Sequence, residues 1–235
     1  MIAARSLVFV AIFYLWSLIA GLAMIPLLLA PRGWMLGAMK FWGRGVLAIL
    51  GPTCGVKVEF RGLEHLPTGT ALIGAKHQCM FDTMGPFVIL PDACYVMKKE
   101  LTRIPFYGWF CAKVDMIVVD REGGSTALRK LLTDGKASLA AGRQLVIYPE
   151  GTRVAPGETG EYHPGIAALY RAEGLACIPL ATNSGTHWPA HGFIRRPGVI
   201  VYEFLEPIPP GLPRAEFMRI LEERLETGSR ALLGE

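Results

Sequence analysis

His77 and Asp82 stand five positions apart in the stretch IGAKHQCMFDTMGPF, and their side chains are those of a general base and a carboxylate that could hold it. An imidazole whose ring N–H is held by a carboxylate can take a proton from a hydroxyl, its new charge balanced by the partner. On one regular helix the two side chains would point about 140° apart, because only residues three or four apart share a face. They can therefore cooperate only if the chain between them is not a straight helix. Taken alone, the spacing equally suits a histidine with a structural role.

A second cluster is YPEGTR at 148–153. Pro149 keeps Tyr148 extended and ends a strand. Gly151 permits close backbone approach, and exposed N–H groups there can form an anion nest. Arg153 offers a planar fork suited to phosphate oxygens. The alternative is a Glu150–Arg153 ion pair that staples a loop. The two readings are compatible, with Glu150 positioning Arg153.

Short segments rich in apolar residues at 56–60, 71–75, 94–97, 116–119, 144–148, 176–181 and 199–204 predict strands. Helical spacing lies between them. Leu128, Leu131, Leu132 and Leu139 form one face, with Ser125 as a possible N-cap and Gly142 beyond the end; a second helix runs from Pro164 to Gly174. A third, at the C-terminus, is amphipathic through Phe217, Ile220, Leu221 and Leu225. The alternation predicts an α/β fold, a mixed, partly parallel sheet flanked by helices. His77 then follows the strand at 71–75, Lys98 and Lys99 the one at 94–97, Glu150 and Arg153 the one at 144–148, and Asn183 the one at 176–181. Ligands of open α/β sheets bind outside the carboxyl ends of strands, so these clusters can converge. His77 would leave a strand in a turn, and Asp82 would sit in the first turn of the next helix, where negative charge is favoured.

The 235 residues suffice for one domain with an appendage, and the composition is apolar, 51% hydrophobic with a mean hydropathy of +0.35. Residues 1–58 hold Arg5, Arg32, Lys40, Arg44 and Lys57 and no acidic residue, whereas the remaining 19 basic and 20 acidic side chains nearly cancel. That asymmetry excludes a nucleic-acid footprint and suits anionic lipid headgroups. Residues 6–31 carry no charge before Arg32; about 24 helical residues reach roughly 36 Å, enough to cross a bilayer core. A signal peptide or a buried helix are the alternatives, and Pro26 should kink or shorten the helix. In the next segment Gly33, Gly37, Lys40, Arg44 and Gly51 fall in a narrow arc, with Trp34, Leu36, Phe41, Trp42, Leu47 and Ile49 around the rest, the pattern of an interfacial helix. The expectation is a two-helix membrane anchor at 1–54, monotopic or a tight hairpin, before a catalytic domain at 55–235; a full span by the first helix is the alternative.

Five scattered cysteines, Cys54, Cys79, Cys94, Cys111 and Cys177, read as reduced thiols and not as a disulfide framework or zinc site. His187 and His191 have i, i+4 spacing, but Pro189 breaks any helix between them, which points to a loop at the site entrance or on the surface. Phe106, Tyr107 and Trp109 suit the core or a membrane-facing anchor better than acyl-chain contact.

These motifs resemble the glycerolipid acyltransferases, the bacterial lysophosphatidate acyltransferase group. HQCMFD is similar to the first motif of that family, KKELTRIPFYGWF to the second, YPEGTR to the third and CIPLATNSG to the fourth; VVDRE at 118–122 also fits. They occur in the family's order over roughly residues 70–190. The resemblance implies transfer of a fatty acyl group from acyl-CoA or acyl carrier protein to the free hydroxyl of lysophosphatidate, giving phosphatidate, with His77 as base and Asp82 as its partner. Lys98 or Lys99 and Arg153 would bind the acceptor phosphate, Glu150 bracing Arg153, within a substrate-binding set that includes Gly151 and Thr152. It also implies an anchor in the inner, cytoplasmic membrane with the catalytic domain facing the cytoplasm, and no metal or redox cofactor. The sequence departs from the family at Cys79, where serine is expected, and at His163, where lysine is common. Cys79 so close to His77 suggests a rival acyl-enzyme route. The other readings are the same chemistry on another lyso-lipid, such as a lyso-aminolipid, and a non-catalytic membrane lipid-binding protein.

Overall fold

Ala71–Ala75 is buried along its whole length and forms strand β2 at the centre of the sheet. An apolar run of this kind, without alternation, is what burial on both faces requires. The computed structural model describes residues 1–120 and 123–234; within VVDRE, Arg121 and Glu122 lie outside the described residues. Val56–Arg61 is β1, Ala93–Lys98 β3, Ile117–Val119 β4, Gln144–Ile147 β5, Cys177–Thr182 β6 and Gly198–Phe204 β7. The sheet runs β1-β7-β6-β2-β5-β3-β4. All adjacent pairs are parallel except β6–β7. The expected mixed, partly parallel sheet is therefore present and mostly parallel. Because β2, β3, β5 and β6 run the same way, the segments leaving them emerge at one edge.

The helices are α1 (Ile2–Met24), α2 (Arg32–Cys54), α3 (Gly85–Ile89), α4 (Tyr107–Lys113), α5 (Gly124–Ala140), α6 (Gly165–Glu173), α7 (Ser184–His187) and α8 (Arg214–Ala231). Successive strand residues face opposite sides of the sheet. Leu72 and Leu145 accordingly join Leu131, Leu139, Ile166, Leu169, Phe217, Leu221 and Leu225 under α5, α6 and α8. Ile73 and Val146 join Phe9, Val46, Leu50, Cys54 and Phe87 under α1, α2 and α3. Each buried Leu, Ile or Phe of these layers contributes roughly 1.5–3 kcal/mol.

The N-terminal helix pair thus covers one face of the sheet. α1 ends at Met24, two residues before Pro26, and continues as a 3-10 turn over Ile25–Leu29. Gly45 admits the Trp16 indole, where a Cβ would come within 2.5 Å. The two helices also exchange bonds from Trp16 Nε1 to the Trp42 carbonyl and from Trp42 Nε1 to Ser17 Oγ. Residues 2–29 form one segment long and apolar enough to cross a membrane, and Leu7, Val8, Leu15, Leu18, Ile19 and Leu22 are exposed along it.

Within the basic stripe of α2, Arg44 is exposed, whereas Lys40 departs from the headgroup-facing expectation, as does Arg32 at the start of the helix. Lys40 Nζ donates to the carbonyls of Leu90 and Pro91, just beyond the end of α3. Arg32 forms a bidentate pair with Asp92 at 2.7 Å and a further bridge to Asp115 at 2.9 Å. These cations neutralise carbonyls and carboxylates of the sheet-bearing body, which a helical wheel cannot distinguish from lipid phosphates.

Candidate active site

His77 leaves the end of β2 in extended chain, and a one-turn 3-10 helix at Met80–Thr83 brings Asp82 back beneath it. Asp82 Oδ2 lies 3.0 Å from His77 Nδ1 and accepts the backbone N–H groups of Gln78 and Cys79 at 2.7 and 2.8 Å. Oδ1 accepts the hydroxyls of Ser184, at 2.5 Å, and Tyr202, at 3.0 Å. Burial alone would raise the Asp82 carboxyl; the hydrogen bond and charge of His77, with the Cys79 N–H and Ser184, outweigh it and hold the group below the ordinary carboxylate range. An ionised Asp82 accepts from Nδ1–H, so the tautomer it selects leaves the Nε2 lone pair free. The His77 side chain is 16% exposed and that of Asp82 1%. One nitrogen is held by protein and the ring keeps an open edge, the arrangement of a general base.

The His77 ring is also stacked on Tyr148, centroids 4.2 Å apart at 22°. The Tyr148 hydroxyl donates to the Asp82 carbonyl at 2.8 Å. Behind Tyr148 stands the buried ring of Tyr95, stacked at 6.0 Å. Ring and dyad are therefore fixed from two sides.

Glu150, at the end of β5, departs from the expected pairing. Its Oε1 bonds Lys76 Nζ at 2.7 Å and its Oε2 accepts the His77 backbone N–H at 3.2 Å. The side chains of Lys76 and Glu150 are 1% and 0% exposed. Arg153 instead projects into the exposed loop, its Nη1 on the Ala190 carbonyl at 3.3 Å. The cause is local: Gly151 turns the chain at φ +64°, and a lysine buried at the end of an apolar strand demands the nearest buried carboxylate. Glu150 does not brace Arg153.

The remaining sequence-identified residues are distributed around this pair. Val154 N–H donates to the His77 carbonyl at 2.8 Å, which joins the third motif to the first. Gly151 lies against the ring of His163, where a Cβ would come within 2.9 Å. Thr152 and Arg153 are exposed. Lys98 and Lys99 emerge where β3 ends, at the same edge as His77, with Glu100 at 3.6 Å and Asp120 at 3.1 Å respectively. The Asn183 amide is engaged by Val199, Val201 and Leu232, so it splices β6, β7 and the C-terminus together. His187 Nδ1 donates to the Arg196 carbonyl and fixes its loop. Phe106 packs with Phe110 beside Gly21 of α1, whereas Trp109 is half exposed.

Cys79 is 0% exposed. Its Sγ lies 3.4 Å from Ser184 Oγ, and burial, reinforced by the charge of Asp82, pushes the thiol well above its ordinary range. A thiol held protonated and out of reach is a poor nucleophile.

Sequence reasoning gave no role in the site to Lys76, Tyr148, Ser184, Tyr202 or Glu226. Tyr148 and Ser184 lie within the third and fourth motifs, and Lys76 is a charge at the end of an apolar strand next to His77; these were the legible signals. Ser184 and Tyr202 reach Asp82 from more than a hundred positions away, which no local pattern encodes.

A family model described as Acyltransferase matches residues 57–183. The chain is 35% identical over 159 residues to a 1-acyl-sn-glycerol-3-phosphate acyltransferase of Pseudomonas aeruginosa, covering 68% of this chain and 62% of that one. It is 40% identical over 102 residues to the protein of that name from Helicobacter pylori, 43% of each chain. These matches span less than two thirds of each relative. The crystal structure of the 1-acyl-sn-glycerophosphate acyltransferase of Thermotoga maritima superposes with a TM-score of 0.82 at 20% identity, covering 100% of this chain and 99% of that one, and thus has the same fold.

Proposed function

Because the chain belongs to the acyltransferase family, we propose that it moves a fatty acyl group from a thioester of coenzyme A or acyl carrier protein to the free hydroxyl of lysophosphatidate, giving phosphatidate. His77 is the general base. The observation that carries this reading is the held imidazole, its Nδ1 3.0 Å from Asp82 Oδ2 and its side chain 16% exposed. Nε2 takes the hydroxyl proton as the oxygen attacks the thioester carbonyl, and the resulting imidazolium, balanced by Asp82, returns that proton to the departing thiolate. The names of the relatives support the acceptor.

Lys98, Lys99, Gly151, Thr152 and Arg153 bind the acceptor, the cations meeting its phosphate, while Glu150 holds the His77 backbone. Arg153→Ala should raise the KM for lysophosphatidate about tenfold or more, with a smaller change in kcat, since a charge-assisted bond is worth ~1.5–3 kcal/mol. Initial rates over a range of acceptor concentrations check it. The apolar segment 2–29 anchors the chain in the cytoplasmic membrane, with the catalytic body on the cytoplasmic side; its exposed apolar face supports this reading.

The test is thiol release from an acyl-CoA by the purified protein in detergent, with and without lysophosphatidate. Release that depends on the acceptor is the expected result. No release with lysophosphatidate or other lyso-lipids, from coenzyme A or acyl carrier protein, would favour a non-catalytic lipid-binding role. In the same assay Cys79→Ser should retain most of the native rate. A trapped acyl adduct on Cys79 would overturn direct transfer.

A further inference from the structure

Lys76, Glu150 and Glu226 form a buried charge triad directly beneath His77. Lys76 Nζ is bonded to Glu150 at 2.7 Å, to Glu226 of α8 at 2.6 Å and to the Glu158 carbonyl at 3.1 Å. Those three bonds use all three ammonium hydrogens. The Glu226 side chain is 9% exposed and also accepts the Tyr162 hydroxyl at 2.9 Å. The second oxygen of Glu150 accepts the His77 backbone N–H. A continuous path of charge-assisted bonds therefore runs from the last turns of α8 through Lys76 and Glu150 to the peptide that carries the imidazole.

A buried charge cluster is a poor way to gain stability alone, since apolar side chains of the same volume often serve as well or better. What such a cluster does supply is direction. Lys76 fixes one oxygen of Glu150, which fixes where the other oxygen lies, which sets the position of the His77 N–H. The Lys76 backbone N–H is itself tied to the Leu180 carbonyl at 2.9 Å, so the lysine has little freedom to follow a shifted partner. We infer that Lys76 and Glu226 are positioning residues for the general base: α8 clamps His77 at the height from which Nε2 reaches the acceptor hydroxyl. The inference rests on the functional reading above, in which His77 is that base.

Glu226→Gln tests it, because it keeps the size and the Tyr162 bond while removing the charge that holds Lys76. The expected result is a kcat lowered about tenfold, the KM for both substrates and the binding to vesicles unchanged, and recovery of part of the rate in Glu226→Asp. An unchanged kcat with a lowered thermal midpoint would overturn it, making the triad a staple of α8. Should Glu226→Gln fail to fold, Tyr162→Phe removes one donor from Glu226 without touching the charges. A fall in kcat at constant KM supports the inference there, and native kcat overturns it. A second readout needs no substrate: the imidazole resonance of His77 should move in Glu226→Gln while those of His65 and His191 stay. That shift, measured on a protein with no acyl transfer, would uphold the positioning and refute the functional reading. A stationary His77 signal in an active enzyme would do the reverse.

Discussion

His77→Ala should reduce acyl transfer by about a thousandfold or more while leaving the protein folded and bound to membranes, since a general base and its charge partner contribute 10²–10⁴ in rate. The separation of the two effects follows from the bonding around Asp82. Removing the imidazole takes one donor from that carboxylate but leaves the N–H groups of Gln78 and Cys79 and the hydroxyls of Ser184 and Tyr202. The buried charge thus stays solvated by protein, and the large penalty for an unpaired ion does not arise. What is lost is the stack on Tyr148 and one hydrogen bond. A loss of one or two kcal/mol would lower the thermal midpoint by only about 2–8 °C in a chain of this size. Thiol release at saturating acceptor, together with a melting curve in the same detergent, checks both halves. Collapse of the thermal transition alongside activity would make His77 structural.

The strands were legible because each is short and rich in apolar residues, continuous in β2 and alternating with exposed charges in β1; the seven expected positions coincide with β1–β7 to within a residue or two at each end. The His77–Asp82 pair was legible because both members lie on one connection, so the strand-end frame could resolve the five-residue spacing into a turn. Glu150 and Arg153 were misread for the opposite reason. Their nearness suggested a pair, but the turn at Gly151 separates them, and the true partner of Glu150 is 74 positions upstream. Lys40 was misread because periodicity groups side chains by angle without saying which side faces protein, and Arg32 because a charge count does not show that it pairs with Asp92 and Asp115. Within the site, what escaped was every contact arriving from β7 and α8, where Tyr202 and Glu226 sit in ordinary amphipathic patterns. Such residues acquire their chemistry from topology alone.

Asp82→Asn should fall by about 10²–10³, less than the ~10⁴ seen when the same change reverses the histidine tautomer in a serine protease triad. The difference comes from what surrounds the carboxylate here. An asparagine has one acceptor and one donor end, and at this site the two ends are not equivalent. The Oδ2 position faces three N–H donors, those of Gln78, Cys79 and His77 Nδ1. Two of these are backbone groups that cannot reverse. The Oδ1 position faces the hydroxyls of Ser184 and Tyr202, which can rotate to accept. The asparagine oxygen is therefore driven to the Oδ2 side, where it still accepts Nδ1–H and keeps the productive tautomer. The charge that balances the imidazolium is gone, and that loss sets the size of the effect. Acid unfolding gives an independent measure. A carboxyl held lower in the fold than in the unfolded chain contributes stability above about pH 4, lost as the pH falls through its depressed value. In Asp82→Asn that part of the acid limb should flatten. A rate loss of 10⁴ or more would mean that the amide has turned its NH₂ toward His77 and that the backbone donors do not set its direction; an unchanged acid limb would mean that the Asp82 carboxyl is not held low in the fold.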